Sequence, residues 1–530
     1  ARSWLIIRKA ARDWRNSFSS HAMDSISRWL VGSSNSIRSG DVAISFALGI
    51  GGSLIAAWLP ARDAAETPPA QFLRIGKRIP LFPVFQHPWI GLAALVLGAL
   101  LLFLPAWQPA PGVRIPAAGY ATAFFWLTGG TLVAAGSLKW MGKALYWVAR
   151  DNAPARLAGS RLSEPTSRHQ LALSGFFVAI GMAAAMAFLI KSFESTVTGW
   201  LEHRLRADLF VSSVGFSGSD DGQPMEADLL DALESTPGIA AMDRFRGVDL
   251  RIDGIATTLA GIRFSLLGNK QDLLWIEGPL DAAERPPGAD AIGYANENLV
   301  RRSGLDIGDT ITLETPSGSR TVWIGGLHAD YSRENGLLVI DLPELESWYQ
   351  ISDYDTASIF LDPGIDPAAL QQDLKAAYPG LAIRLNGELM QAALFIFHQT
   401  FAVTRALQLI GLVVALAGLT LSLLSLLRES GRELSLQRTL GMSRREIAFS
   451  TALEGMGIAL TGLVSGLVLS VALGYVLIFV INRQSFGWTL QTDWPWLDVA
   501  SLAAGVIVLG LLISYATGRL FLRHWKQEAL

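Results

Sequence analysis

Seven long apolar runs, separated by polar stretches, dominate the pattern of hydrophobic and polar positions along this chain. Each run is continuous, and most approach or exceed the roughly 20 apolar residues that an α-helix needs to cross ~30 Å of hydrocarbon. Transmembrane β-strands would instead alternate between apolar and polar positions. The pattern therefore predicts an α-helical transmembrane bundle with spans at 41–60, 88–105, 119–138, 171–190, 401–427, 450–481 and 497–517.

The longest polar region, residues 191–397, lies between the fourth and fifth runs and is long enough for a domain. Helix-favouring stretches occur in it at 224–235 and 367–377, and Pro-Ser-Gly at 316–318 predicts a hairpin turn. Short β-prone runs recur between them. We therefore predict an α+β extracytoplasmic domain with strands at 209–212, 248–252, 310–314, 321–324 and 337–340.

The apolar pattern continues past two of the spans at helical spacing. If residues 171–206 form one helix, it is ~54 Å long at ~1.5 Å per residue, which exceeds the bilayer. The return helix, at about 395–427, begins with a stretch that polar residues interrupt. Two interpretations stay open: a pair of rigid rods that carry motion across the membrane, or plain support for the outer domain.

Basic residues set the predicted orientation. The loops 61–87, 139–170 and 428–446 and the C-terminal tail are rich in Arg and Lys, whereas the loops 106–118 and 483–496 hold one Arg each. Basic loops stay in the cytoplasm, so these four basic regions are predicted to lie there. Residues 1–38 are basic as well but would lie outside, as an interfacial helix or as the end of a larger outer region.

Composition supports a membrane protein and excludes several other classes. Charged residues make up 17% of the 530 positions, and the net charge of −3 gives no indication of nucleic-acid binding. The absence of cysteine excludes disulfides and thiolate metal sites. No phosphate-binding loop, nucleophile elbow or H-E-x-x-H helix is present, so no catalytic residue, metal or cofactor is predicted.

Two smaller patterns concern the spans themselves. Ionisable residues near span ends are interpreted as interfacial rather than as an ion path, at Lys191, Glu194 and Glu454. Small residues recur every four positions on one span, at Gly462, Gly466, Ser470 and Gly474. Such a stripe allows close helix packing, either within one subunit or between two subunits.

Five stretches resemble the FtsX-like permease family of ABC transporters. Two carry the sequences IFHQTFAVTRALQLIGLVVALAGL and RELSLQRTLGMSRREI, within 396–447. GLDIGDTITL at 304–313 resembles the outer domain of that family, and residues 176–212 resemble its first span and stalk. Residues 41–74, with LPARDAAETPPAQFLR, resemble the last span and tail of a preceding unit. The resemblance implies a duplicated permease, with most of its first unit outside this sequence.

The resemblance also implies a domain order. An interfacial or extracytoplasmic segment (1–38) is followed by the last span and tail of a first unit (39–74), two connecting spans (75–150), the first span and stalk of a MacB-like second unit (151–206), the extracytoplasmic α+β domain (207–394), and three C-terminal spans (395–530) that include a cytoplasmic segment at 428–446. We call residues 428–446 the coupling segment.

In this family the loop after the second span of a unit contacts a separate ATPase. Carried over, the resemblance places Glu433, Arg438, Gly441, Met442 and Ser443 at that contact. Gly441 is predicted to end a short helix and Ser443 to cap the next one. Members of the MacB type transmit ATPase motion to the outer domain, and others extract lipids or lipoproteins from the outer leaflet.

The leading hypothesis is a multi-pass permease subunit in a bacterial inner membrane. It would couple ATP hydrolysis by a cytoplasmic ABC ATPase to extracytoplasmic movement of a lipid, lipoprotein or peptide. Further candidate partners are membrane lipid and a second permease or periplasmic protein. The alternatives are a secondary transporter, for which buried ionisable residues are lacking in the sequence pattern, and a membrane-anchored receptor or scaffold.

Overall fold

The computed structural model describes residues 50–51, 54, 58, 88–110, 113–149, 152–213, 223–252, 254–268, 273–331, 336–429 and 431–524. The predicted segment 1–38 and the basic loop 61–87 lie outside these residues. Segment 39–74, with the predicted span 41–60, is described at four positions only. The described chain divides into two compact units, one formed by 193–400 with 486–491, and the other by the remaining described residues.

The second of these units is helical. Its N-terminal part contains α1 (Pro88–Leu101), α2 (Ala117–Val148), α3 (Ala153–Ser163) and the first part of α4 (Ser167–Arg204), with the paired strands β1 (Trp107–Ala110) and β2 (Val113–Ile115) between α1 and α2. Its C-terminal part contains most of α9 (Asn386–Glu429), then α10 (Gly431–Thr439), α11 (Arg444–Tyr475), a π-helical turn (Val476–Asn482), α12 (Arg483–Phe486) and α13 (Trp496–His524).

Among the described residues, five helices are long and apolar enough to cross a membrane: α2, α4, α9, α11 continued through α12, and α13. α1 has 14 residues, shorter than the predicted span at 88–105. Pro105 contributes to this, because the residue before a proline disfavours the helical conformation. The core of the bundle is formed by fully buried side chains of five different helices, Leu138, Leu162, Phe176, Leu419 and Ile458.

Two helices extend well beyond a bilayer. α4 has 38 residues and confirms the predicted continuous helix over 171–206. α9 has 44 residues and begins at Asn386, nine positions before the predicted start. The early start has a local cause, because the carboxylate of Glu388 accepts the Leu385 N–H at 3.1 Å and so satisfies a donor at the helix entrance.

The other unit is the α+β domain. Its strands are β3 (Leu209–Ser213), β4 (Met225–Glu226), β5 (Ile239–Ile252), β6 (Ile255–Ile262), β7 (Trp275–Glu277), β8 (Ala291–Asn296), β9 (Thr310–Thr315), β10 (Gly318–His328), β11 (Gly336–Asp341), β12 (Asp353–Tyr354), β13 (Thr356–Leu361) and β14 (Leu381–Leu385). Its helices are α5 (Ala227–Glu234), α6 (Glu297–Ser303), α7 (Leu342–Tyr349) and α8 (Pro367–Ala377).

Ten of these strands form one mixed sheet in the order β14-β3-β13-β5-β6-β11-β8-β10-β7, with β9 paired to β10. β6 pairs with β11, and β8 with β10, in parallel. The predicted hairpin at 316–318 is confirmed as the β9–β10 turn, in which Thr315 pairs with Gly318. The predicted fold class, a helical transmembrane bundle with an α+β extracytoplasmic domain, is confirmed.

Candidate functional site: the coupling segment

The coupling segment is a short helix followed by a tight turn. α10 ends at Thr439, and Gly441, two residues later, has φ of +97°. The Gly441 N–H donates to the Arg438 carbonyl at 3.1 Å, and the Met442 N–H donates to the Gln437 carbonyl at 3.0 Å. These two bonds form the Schellman arrangement that closes many helices with glycine. The predicted role of Gly441 as the helix stop is confirmed.

The next helix starts with two reciprocal hydrogen bonds. The Ser443 hydroxyl accepts the Glu446 N–H at 3.2 Å, and the Glu446 carboxylate accepts the Ser443 N–H at 2.7 Å. This capping box satisfies two donors that the first turn of α11 would otherwise leave free. The predicted cap at Ser443 is therefore confirmed. Both ends of the turn are fixed by local chemistry, so the segment has a defined shape.

A small apolar cluster holds α10 against its neighbours. Leu434 is fully buried and packs with Leu427 at the end of α9, Ile447 at the start of α11 and Leu522 on α13. Met442 packs against the same cluster and is partly buried. Burial of one leucine side chain stabilises by roughly 1.5–3 kcal/mol. Leu434 thus ties the coupling segment to three helices that cross the bundle.

Arg161 forms a second, ionic tie. One guanidinium nitrogen of this α3 residue lies 2.9 Å from the Glu433 carboxylate, and another lies 3.3 Å from the Glu454 carboxylate. Gln437 also donates to Glu433, at 2.9 Å. His169, on α4, lies 2.6 Å from the other oxygen of Glu454. The cluster therefore joins the coupling segment to α3, α4 and α11.

The cluster is buried unevenly. The side chains of His169 and Glu454 are 3% and 4% exposed, and that of Glu433 is 43% exposed beside a cavity of about 190 Å³. Burial alone would lower the pKa of Arg161, but the charges of Glu454 and Glu433 and their hydrogen bonds raise it. Arg161 therefore stays charged and compensates the buried carboxylate of Glu454.

The outer face of the segment carries apolar side chains. Leu436 on α10 is 59% exposed, and Leu440, four positions later and directly after the end of α10, is 77% exposed. Gly441, Ser443 and the two arginines that follow are exposed beside them, whereas Arg438 is half-buried. An exposed apolar pair on a short, otherwise polar helix is a surface suited to a partner protein.

The five residues assigned by resemblance thus have different surroundings. Gly441 and Ser443 are exposed, Arg438 and Met442 are half-buried, and Glu433 is bound to Arg161. Leu436, Leu440 and Arg161 were not predicted from the sequence as site residues. The spacing of the two leucines in a charged stretch was a usable signal. The sequence held no such signal for Arg161, because its partner Glu433 is 272 positions away.

The four small residues predicted for helix packing lie on α11. A Cβ atom on Gly462 would lie 2.6 Å from the Phe176 Cβ, and one on Gly466 would lie 3.1 Å from the Phe177 carbonyl oxygen. Gly474 faces Phe188 in the same way, and Ser470 is fully buried. The three glycines therefore face α4 of the same chain. Their assignment as the determinants of helix packing stays a prediction.

Within the part of the chain that the structure describes, no group of three or more His, Asp or Glu side chains is arranged to hold a metal ion.

Comparison with known proteins identifies the C-terminal region. Residues 406–524 match the model of the FtsX-like permease C-terminal family. The chain is also 28% identical, over 503 residues, to an uncharacterised ABC transporter permease protein of Mycobacterium tuberculosis. That alignment covers 91% of this chain and 57% of the relative, so the chain spans little more than half the length of that relative.

Two solved structures resemble the chain in part. The periplasmic region of MacB from Actinobacillus actinomycetemcomitans is 14% identical, with a TM-score of 0.26, and covers 35% of this chain and 92% of its own. The extracellular domain of the noncanonic ABC-type transporter YknZ from Gram-positive bacteria is 10% identical, with a TM-score of 0.23, and covers 34% of this chain and 98% of its own. The resemblance inferred from the sequence is confirmed: residues 406–524 match the FtsX-like permease C-terminal family model, and 503 residues of the chain align with an ABC transporter permease.

Proposed function

We propose that the chain is a permease subunit whose coupling segment takes up motion from a separate cytoplasmic ATPase. The observation that carries this proposal is the combination of a fixed shape, internal anchoring and an exposed apolar pair in residues 428–446. Leu436 and Leu440 would face the partner. The caps at Gly441 and Ser443 would keep the segment rigid when it is pushed. The localisation that follows is a bacterial inner membrane.

The anchors supply a route for the motion. Displacement of α10 would act on Leu434 and on Glu433, and through Arg161 on Glu454 of α11. The contact of Arg161 with Glu454 is buried, so these partners cannot separate without leaving an uncompensated charge. The contact with Glu433 is 43% exposed on the Glu433 side, so the buried Leu434 is the firmer attachment of α10. α4 and α9 extend from the helical unit into the α+β domain and would carry the movement outward.

We further propose a lipid, lipoprotein or peptide as the moved substrate. This choice rests on the resemblance to permeases of this family and on the size of the α+β domain. Its mixed sheet of ten strands offers a large surface outside the membrane. The proposal assigns no ATP hydrolysis to this chain, and assigns it to the partner.

The test is stimulation of an ATPase by the full chain. The chain is purified with the nucleotide-binding protein that accompanies it, and ATP hydrolysis is measured with wild type, Leu440→Asp and the control Ala153→Asp. Both substitutions add one charge at an exposed position, and Ala153 lies on α3, outside the coupling segment. We expect Leu440→Asp to lose most of the co-purified ATPase protein, and with it most of the ATP hydrolysis, and the control to keep both. Equal retention in both variants would refute the assigned contact.

Two further outcomes concern the rival functions. A chain that retains no ATPase and takes up substrate with an ion gradient would be a secondary transporter. A chain that retains no ATPase and binds a ligand through its α+β domain would be a receptor or scaffold. Either result would overturn the proposal.

A further inference from the structure

The loop between α12 and α13 contains a segment that packs with the α+β domain. Residues 486–491 fall in the same compact unit as 193–400, although the chain on either side belongs to the helical unit. The segment is connected through α12 to the π-helical turn that ends α11, and through residues 492–495 to α13. It therefore joins the α+β domain to helices other than α4 and α9.

Glu297 holds the centre of this segment. It is the first residue of α6, and its side chain is 8% exposed. One carboxylate oxygen accepts the Thr489 N–H at 2.9 Å, and the other accepts the Thr489 hydroxyl at 2.7 Å. Arg301, one turn later on α6, lies 2.5 Å from Glu297 and donates to the Thr489 hydroxyl at 3.3 Å. Hydrogen bonds to a charged group are stronger than those between neutral groups.

Tyr331 binds the backbone of Thr489. Its hydroxyl donates to the Thr489 carbonyl at 3.1 Å, so that the N–H, the carbonyl and the hydroxyl of Thr489 are all held by the α+β domain. Burial raises the pKa of Tyr331, which keeps the phenol protonated as a donor. The ring also meets Trp488 edge-on, with centroids 5.4 Å apart.

The residues on either side of Thr489 are also buried or hydrogen-bonded. Trp488 is 3% exposed and Leu490 is 2% exposed. Gln491 donates its N–H to the Thr196 hydroxyl at 2.8 Å, on the part of α4 that belongs to the same unit. Gly487 has φ of +84°, a conformation that residues with a side chain rarely adopt, and a Cβ there would meet the end of the Asn298 side chain. A loop that served only to connect two spans would need neither the buried carboxylate nor the two buried apolar side chains.

We infer that residues 486–491 form a latch that couples the helices α11–α13 to the α+β domain, with Glu297 as its positioning residue. This inference rests on the proposed function, because the latch would be a second route by which movement of the helical unit reaches the outer domain. The first route is the continuous α4 and α9 pair. With the latch open, the partner ATPase would still bind, but its stimulation by the chain would fall.

The test uses the full chain with its ATPase and three variants of the latch. Glu297→Ala removes both carboxylate hydrogen bonds to Thr489 and leaves those from Tyr331 and Arg301. Glu297→Gln keeps an acceptor without the charge, and Thr489→Val removes the hydroxyl alone. The matched control is Glu234→Gln. Glu234 is a carboxylate of the same domain that pairs with Arg244 and Arg263 and is not part of the latch.

The first readout is the accessibility of position 490. The chain has no cysteine, so Leu490→Cys provides a single thiol for a membrane-impermeant maleimide. We expect labelling to be about tenfold faster or more in Glu297→Ala, because two charge-assisted hydrogen bonds are lost, and intermediate in Glu297→Gln and Thr489→Val. We expect no change in Glu234→Gln. Unchanged labelling in all latch variants would overturn the assigned contacts.

The second readout is ATPase stimulation at equal retention of the ATPase. We expect a several-fold loss of stimulation in Glu297→Ala, partial recovery in Glu297→Gln and wild-type stimulation in Glu234→Gln. Faster labelling with full stimulation would show that the latch is only structural, and would overturn the inference alone. If the wild-type chain retains and stimulates no ATPase, the proposed function fails and the inference falls with it. Retention that drops in every latch variant would likewise refute a role downstream of binding.

Discussion

Replacement of Arg161 by methionine is the perturbation that the ionic cluster predicts most sharply. Methionine keeps much of the apolar volume of the side chain and removes the charge. The substitution leaves Glu454, whose side chain is 4% exposed, with His169 as its remaining partner in the cluster. It also frees Glu433, but that carboxylate is 43% exposed and can be solvated.

The expected cost follows from these two different surroundings. Loss of one partner from a buried ion pair costs about 3–5 kcal/mol, whereas an exposed pair contributes about 0–1 kcal/mol. The contact with Glu433 therefore contributes little to the free energy of unfolding. The contact with Glu454 dominates, and the hydrogen bond between His169 and Glu454 at 2.6 Å remains in the variant. We expect Arg161→Met to lower the free energy of unfolding by about 2–3 kcal/mol.

A double-mutant cycle tests this reasoning. The free energy of unfolding is measured in mixed micelles for Arg161→Met, Glu454→Gln and the double variant. Because the two side chains touch, we expect a coupling energy of about 2 kcal/mol between them. The control is Arg156→Met, on the same helix, where an exposed arginine contacts Tyr146 and the expected loss is below about 1 kcal/mol. Additive effects at Arg161 and Glu454, or equal losses at Arg161 and Arg156, would refute the account.

Two further predictions concern single residues. Gly441→Ala should destabilise the chain by about 1–2 kcal/mol, because φ of +97° is unfavourable for a residue with a Cβ. Gly505→Ala on α13, where a Cβ would meet no neighbouring atom, should not destabilise it. Thermal unfolding of both variants should show a lower midpoint for Gly441→Ala only. Burial, together with the charge of Arg204, lowers the pKa of His328 to about 4 against the opposing effect of Asp330. Between pH 6.5 and 4 the unfolded chain therefore binds more protons than the folded chain, and the α+β domain should lose up to about 3 kcal/mol of its free energy of unfolding as the pH falls through that range. Hydrogen exchange should show this loss in wild type and not in His328→Gln.

Local chemistry explains which parts of the coupling segment were predictable. The turn at Gly441 that follows α10 and the cap at Ser443 each depend on residues within five positions of each other, so the sequence alone indicated both. The same holds for the β9–β10 turn and for the continuous α4. The start of α9 at Asn386 was missed, because the hydrogen bond from Leu385 to Glu388 extends the helix ahead of its apolar pattern.

Contacts between distant positions could not be predicted in this way. Arg161 reaches Glu433 and Glu454 across 272 and 293 positions, and Glu297 reaches Thr489 across 192. No periodicity links such pairs. Glu454 was interpreted from sequence as an interfacial residue, whereas the structure places it in a buried ionic cluster. The strand order of the ten-stranded sheet, with its two parallel pairs, is equally absent from the sequence pattern.

The most direct test of the central claim is a crosslink from the coupling segment to its partner. A photo-activated residue is placed at Leu440, which is 77% exposed, and in a second variant at Ala153 on α3. The account predicts that position 440 captures a nucleotide-binding ATPase in intact cells and that position 153 does not. Capture of no ATPase at position 440, or labelling of a cysteine at Ser443 by an impermeant reagent from outside the cell, would contradict it.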